Sequence, residues 1–287
     1  MLTTIIHSDV LTPAQQTRLQ DEFGSELRRC GRHFRLRHAS PLPRDALEAL
    51  RAELHLDINT LPAEFDPRAV RLLITDMDST LINIECVDEI ADFVGVKPQV
   101  AAITEAAMRG ELDFETSLKR RVALLTGLET TALERVYQDR LRLNPGAEDL
   151  LAGLKAQGVK LALVSGGFTF FTERLKARLG LDFTLANVLG MKDGRLLGAV
   201  EGAIVGAAAK ADYLAILCRE LRISPAQAIA MGDGANDLQM LGLAGLGVAY
   251  HAKPAVRAQA HVAINHRGLD AVLDFVALEG ETSNACA

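Results

Sequence analysis

The 287 residues are 49% hydrophobic and 24% charged, with a formal net charge of −6, the balance of a globular protein long enough to bury a sizeable core. The mild acidity invites neither nucleic acid nor an anionic membrane, and no apolar run approaches the ~18 residues that cross a bilayer. Cys30, Cys86, Cys218 and Cys286 lie far apart without a CxxC pair, which argues against a disulfide framework or a zinc site. With no basic region leading into an apolar core at the N-terminus, the expectation is a soluble cytoplasmic protein.

Residues 1–66 read as a small α+β module. Thr3–Ile6 and His33–Arg37 are strand candidates, and Pro13–Arg29 and Asp45–Leu54 carry helical spacing. His7, His33, His38 and His55 are scattered and read as surface or structural residues. Pro62 and Pro67 bracket a linker. No cluster of catalytic residue types occurs here, so the module is regulatory, oligomerising or supporting.

The stretch Leu72-Leu73-Ile74-Thr75-Asp76-Met77-Asp78-Ser79-Thr80 follows. Its apolar start suits a strand buried on both faces, and open α/β sheets bind ligands at the carboxyl edge where such strands end. Alternate residues of an extended segment point the same way, so Asp76 and Asp78 can converge. Residues 83–143 then turn helical, over Ile84–Val94, Pro98–Arg109, Phe114–Leu125 and Thr130–Leu141. An insert of about sixty residues far exceeds an ordinary crossover and reads as a helical cap over the Asp76 site.

From residue 144 to 278 strands and helices alternate, which predicts an α/β core with a doubly wound parallel sheet, completed by residues 67–82. A strand over Val159–Val164 ends in Ser165-Gly166-Gly167, which is read as opening the next helix from Phe168. A strand near Phe183–Val188 and a hairpin over Met191–Glu201 follow. Another strand, Ala228–Met231, ends in Gly232-Asp233-Gly234-Ala235-Asn236-Asp237, and short strands at Leu246–Tyr250 and His261–Ile264 come last. Residues 279–287 read as a frayed tail.

Three strand ends therefore carry functional groups to one sheet edge. Asp76, Asp78 and Asp233 make an all-oxygen set that suits Mg²⁺. Three converging carboxylates repel one another strongly unless a cation sits among them. Ser165, Gly166 and a helix N-terminus can bind an anion. Lys210, at the start of an Ala-rich helix, reads alone as a solvated lysine, but beside carboxylates and a phosphate it becomes a useful fixed cation.

Asp76-x-Asp78-Ser-Thr, Ser165-Gly166-Gly167, Lys210 and Gly232-Asp233-Gly234-x-Asn236-Asp237, in that order, resemble the motifs of the haloacid dehalogenase (HAD) superfamily of phosphatases. Glu85 downstream of the first motif, and the segment from Met108 through Phe114 to Arg121-Val122, are similar to the phosphoserine phosphatase family within it. The resemblance runs from about Arg71 to Asp274. It implies a Mg²⁺-dependent phosphomonoesterase acting on O-phospho-L-serine, the last step of a phosphorylated route to serine. Asp76 is then the nucleophile and Asp78 the general acid and base. Asp76, Asp78 (through its carbonyl) and Asp233 hold the metal, with Asp237 behind them. Ser165, Gly166, Lys210 and Asn236 hold the phosphate, Glu85 the substrate ammonium and Arg121 its carboxylate, while Met108 and Phe114 wall the pocket. Two-domain members of the family often begin with a module resembling a small-molecule-binding ACT domain, and residues 1–66 are read as a short or divergent version. A homodimer stays open as its assembly.

Read from the residues alone, Glu85 and Arg121 are charged positions on amphipathic helices, with Arg120 an alternative inward residue. The competing functions are a same-fold phosphatase for phosphohomoserine or a nucleotide, and an inactive serine-sensing or interaction protein. A cysteine phosphatase is excluded because Leu36, Asp92 and Ser224 stand where Cys-x5-Arg needs arginine. Cys86, next to Glu85, is expected to make the site sensitive to thiol reagents without being catalytic.

Overall fold

The computed structural model describes residues 1–109 and 111–276. Gly110, residues 277–287 (which include the tail expected from 279) and the Met108 side chain lie outside the described residues. The chain begins as β1 (Leu2–Ile6), α1 (Pro13–Phe23), β2 (Arg28–Cys30), β3 (His33–His38), α2 (Arg44–Leu54) and β4 (Ile58–Thr60). Its strands form an antiparallel sheet in the order β2-β3-β1-β4, a ferredoxin-like arrangement. The helix expected over Pro13–Arg29 stops at Phe23, because Gly24 takes the left-handed conformation (φ 57°) that ends helices. Arg28–Cys30 is thereby freed to pair with β3. The unanticipated β4 is three residues long, too short for periodicity to reveal.

The second sheet opens with β5 (Leu72–Thr75). Four helices follow: α3 (Cys86–Phe93), α4 (Lys97–Met108), α5 (Phe114–Ala123) and α6 (Thr131–Arg135). The helix expected to Leu141 ends early, and Val136–Arg140 continues as a wider turn. The chain then runs through α7 (Ala147–Ala156), β6 (Lys160–Phe168), α8 (Thr169–Leu179), β7 (Phe183–Lys192), β8 (Arg195–Glu201) and α9 (Ala207–Leu221). Next come β9 (Ala228–Gly232), α10 (Leu238–Leu243), β10 (Leu246–Tyr250), α11 (Pro254–Arg257), β11 (Val262–Ile264) and α12 (Leu273–Val276). Their order in the sheet is β11-β10-β9-β5-β6-β7-β8, parallel except for β8.

Burial of β5 on both faces explains its unbroken apolar run. Leu73 joins one hydrophobic cluster, while Leu72 and Ile74 join another on the opposite face. At the far edge, the separate strand and hairpin expected over 183–201 are one feature, since β7 continues to Lys192. Asp193 (φ 50°) and Gly194 (φ 74°) both turn left-handed, as a tight two-residue hairpin requires. Among the described residues no helix is long and apolar enough to cross a membrane.

The N-terminal sheet is fastened to the core by buried polar contacts. His7 Nδ1 and His33 Nδ1 lie 2.8 and 3.2 Å from the two carboxylate oxygens of Asp274, and Arg35 Nε donates to His33 Nε2. Three of the four scattered histidines, His7, His33 and His38, are thus buried structural residues. Burial pushes the Asp274 carboxyl up, but the bonds from His33 and His7 win and hold it below the ordinary range. A depressed pKa stabilises the fold above the unfolded value, about 3.9, and the contribution is lost as pH falls further. Asp274→Ala should therefore cost about 2–4 kcal/mol at pH 6. Urea unfolding should show that gap from the parent shrinking as pH drops below about 4; a gap independent of pH would contradict the assignment.

Candidate active site

The carboxyl ends of β5, β6 and β9 meet under the helices that follow β5, around a cavity of about 650 Å³. Asp76 directly follows β5, and its backbone N–H donates to Met231 of β9, which fixes where its side chain emerges. The carboxylate is almost fully buried. Lys210, at the start of α9 and wholly buried, donates from Nζ to Asp76 Oδ1 (2.7 Å) and Asp237 Oδ1 (2.6 Å). The solvated reading of Lys210 is thereby excluded. Burial disfavours its charge, but the two aspartates more than offset this and raise its pKa.

Asp76, Asp233 and Asp237 each bring a carboxylate oxygen within 4.8 Å of the others. This set differs from the expected side-chain trio in that Asp237 replaces Asp78. Asp78 turns instead towards the start of α3, where its Oδ1 accepts from Cys86 N at 3.2 Å. Burial first, then the Asp237 charge, push Asp233 up to about 6. Burial likewise raises Asp76, with Lys210 opposing and Asp237 adding. One lysine among three crowded carboxylates leaves excess negative charge, and an all-oxygen donor set of this kind suits a hard divalent cation.

Burial, then Glu85, push the Asp78 carboxyl up to about 7. Ser79 adopts a left-handed backbone (φ 57°) and donates from Oγ to Glu85 Oε1 at 2.7 Å. This pair ties the first loop to the start of α3. Glu85, Phe114 and Arg121 all line the cavity, each from a different place in the helical insert, whereas Arg120 is exposed. Burial pulls the Arg121 guanidinium down from its usual value, against the charges of Asp88 and Glu85. Its Nε is buried without a hydrogen-bond partner. Met108 ends α4, and its side chain is outside the described residues.

Ser165, Gly166 and Gly167 belong to the irregular end of β6 rather than to a helix, because α8 begins only at Thr169. The Gly167 N–H donates to Ser165 Oγ at 2.8 Å. Gly166 and Asn236 also line the cavity. Space around Gly167 is tight, since a Cβ there would lie 2.8 Å from both Asp78 Oδ2 and Met77 Cε. Gly167→Ala must displace the Asp78 carboxyl, and a misplacement of this order costs about 10–100-fold in kcat. Steady-state kinetics with a matched thermal melt checks this; an unaltered kcat would place Asp78 elsewhere during turnover.

Four residues support the site: Asn187 and Lys253 escaped the sequence reading, and Ser79 and Thr80 stood in the first motif without a role. Thr80 Oγ1 donates to Asp233 Oδ1, and Asn187 bridges the Gly166 carbonyl and the Val205 N–H. Ser79 bonds Glu85 as described, and Lys253 lines the cavity. Of the two that escaped, Asn187 carried a signal, as a polar residue inside a strand. Cys86 is a correction: it is fully buried, and burial followed by Asp78 and Glu85 raises its thiol pKa well above normal. Such a thiol is protonated and inaccessible, so the expected reagent sensitivity does not follow.

Residues 70–245, which hold most of this sheet and the helical insert, match the family model of the haloacid dehalogenase-like hydrolases. The chain belongs to that family. A phosphoserine phosphatase of Polaromonas sp. is 55% identical over 226 residues, covering 77% of this chain and 96% of the relative. A solved HAD family hydrolase from Salmonella enterica serovar Typhi superposes with a TM-score of 0.88 at 34% identity, over 97% of this chain and 100% of the other. A probable phosphoserine phosphatase from Vibrio cholerae, in unliganded form, gives 0.82 at 39%, over 96% and 86%.

Proposed function

We propose that this chain hydrolyses O-phospho-L-serine to serine and phosphate through an aspartyl phosphate on Asp76. One observation carries the reading: Glu85 and Arg121 line the same cavity as Asp76 and Asp78. A phosphorylated amino acid presents an ammonium and a carboxylate a few bonds from its phosphoryl group. An acid and an arginine above an aspartate pair therefore match its charges, and the arginine fork suits a carboxylate.

In this account the Asp76 oxygen attacks phosphorus while Asp78, its pKa pushed up to about 7 so that a good part is protonated at neutral pH, gives its proton to the departing serine oxygen. Asp78 then takes a proton from the water that attacks the aspartyl phosphate, and phosphate leaves with Asp76 regenerated. Ser165, the Gly166 amide, Asn236 and Lys210 hold the phosphoryl oxygens, Phe114 walls the pocket, and Met108 is assigned beside it. Asp76, Asp233, Asp237 and the Asp78 carbonyl are the proposed holders of Mg²⁺. When bound, it would offset charge on the phosphoryl oxygens and the carboxylates. Closure of the helical insert over the site would exclude water from the first step. A cytoplasmic setting agrees with Cys30, Cys86 and Cys218 being free thiols.

The test is phosphate release from O-phospho-L-serine, O-phospho-L-threonine and an aryl phosphate, each with Mg²⁺. Strong preference for phosphoserine is expected; turnover of the aryl phosphate alone would remove the amino-acid assignment. Arg121→Ala should raise the KM for phosphoserine about 10–100-fold, the worth of a charged hydrogen bond, with a smaller change in kcat. An unchanged KM would mean that the carboxylate is read elsewhere.

A further inference from the structure

Lys253 sits on the loop after β10, immediately before α11, is exposed, and lines the active-site cavity. Among the described residues lining that cavity, Arg121 of α5 and Lys253 of the core are the two cations. One belongs to the helical insert and the other to the core, and the charges of both act on Glu85. The groups assigned to the phosphoryl oxygens come from the ends of β6 and β9 and the start of α9. The other anionic end of a bound phosphoamino acid needs a cation besides the groups that hold its phosphoryl oxygens, and these two line the same cavity.

The N-terminal module bonds core segments that follow Lys253 in the chain and, through them, reaches His251 before it. Asp57, just before β4 and buried, accepts three backbone hydrogen bonds from the core. Its Oδ1 takes one from Asn265 N at 2.7 Å, and its Oδ2 takes those of His266 N and Arg267 N at 2.9 Å. Asn59 of β4 brackets Ala263 of β11, donating to its carbonyl and accepting from its N–H, both at 2.9 Å. The loop so held passes the constraint on. His251 donates from Nε2 to the Arg267 carbonyl at 3.0 Å and from its backbone N to Ile264 O at 2.8 Å. These bonds hold His251 in a left-handed conformation (φ 45°), a strained choice for a side chain with a Cβ, two residues before Lys253. Beyond it, Arg44 of α2 donates to the carbonyls of Arg257 and Ala260, holding the far end of α11. Module contacts therefore reach the segments that flank Lys253, directly at Arg257 and Ala260 after it and, through residues 263–267, at His251 before it.

We propose that the N-terminal module is a positioning unit for the substrate pocket, and that it acts through Lys253, a specificity-determining cation for the substrate's carboxylate end. The inference rests on the phosphoserine reading above. A lysine is a mobile point charge rather than a fork, and this one is exposed, so its effect is smaller than that of Arg121. Because it lies on the core while Arg121 lies on the helical insert, one carboxylate held by both would also tie the two layers together.

The experiment compares kcat/KM for O-phospho-L-serine with that for O-phosphoethanolamine, which lacks the carboxylate, in the full-length protein with Mg²⁺. Lys253→Met should lower the phosphoserine-to-phosphoethanolamine ratio about fivefold, mostly through KM, in keeping with an exposed charge pair, and Lys253→Arg should restore most of it. Asp57→Ala should lower the same ratio, and the double variant should be no worse in that ratio than Lys253→Met alone, as expected of two residues acting through one contact. Asp57→Asn, which keeps an acceptor, serves if the alanine variant does not fold. Equal losses for both substrates, an unchanged ratio in Lys253→Met, or additive effects in the double variant would overturn the proposal. A parent protein that does not cleave phosphoserine would instead remove the functional reading on which it stands.

Discussion

Asp76→Asn is expected to reduce phosphate release by about 10⁴-fold or more, the scale of losing a covalent nucleophile, while the protein stays folded. The substitution is nearly isosteric, and the side chain is already enclosed and held by Lys210. An amide oxygen in that place can still accept the lysine's hydrogen bond but cannot form a stable acyl phosphate. The check is phosphate release at saturating phosphoserine beside a thermal melt of the same sample. Residual activity within tenfold of the parent would show that another group attacks phosphorus.

Lys210→Met should damage both activity and stability. Its ammonium is wholly buried between Asp76 and Asp237, so the substitution leaves two buried carboxylates facing each other without their cation. Breaking a buried pair on one side costs about 3–5 kcal/mol, which in a chain of this size lowers Tm by roughly 10 °C. Loss of a fixed cation beside the phosphoryl group should also reduce kcat about 10²–10³-fold. The fall in Tm should be larger in chelator than in excess Mg²⁺, because a bound divalent ion offsets part of the stranded charge. Equal Tm losses in the two conditions would argue against a shared carboxylate cluster.

The layout of the sheet was readable because its causes are local. An apolar run ending in Asp76-x-Asp78 and alternating strand and helix periods require a parallel sheet with charge at one edge. The Lys192-Asp193-Gly194-Arg195 turn was readable for the same reason, since glycine supplies a left-handed residue where the hairpin needs one. Lys210 was ambiguous by itself: nothing in Ala-Ala-Ala-Lys tells a solvated lysine from one buried between two aspartates. The ordered motifs of the family resolved it, and they also pointed to Arg121 rather than Arg120.

What stayed hidden depends on contacts between distant parts of the chain. Asp237 joins Asp76 and Asp233 because a short turn after β9 folds its carboxylate back towards the β5 end, whereas Asp78 turns to the N–H of Cys86. Alternation along an extended strand suggested that Asp76 and Asp78 would converge. Both do line one cavity, but the chain leaves extended geometry at Met77 and Ser79 is left-handed, so the Asp78 side chain bonds the α3 start rather than joining the carboxylate trio. The grip of Asp57 on Asn265, His266 and Arg267 crosses some two hundred residues, and no spacing rule reaches that far. The histidines show the same limit, for only the fold brings His7 and His33 onto Asp274.

The most direct test of the central claim is acid-quench labelling with ³²P-labelled O-phospho-L-serine and Mg²⁺, followed by peptide mapping. The account predicts a label that survives acid, is released by hydroxylamine as acyl phosphates are, maps to the peptide containing Asp76, and is absent from Asp76→Asn. Rapid phosphate release with no protein-bound label, or a label on any other residue, would contradict it.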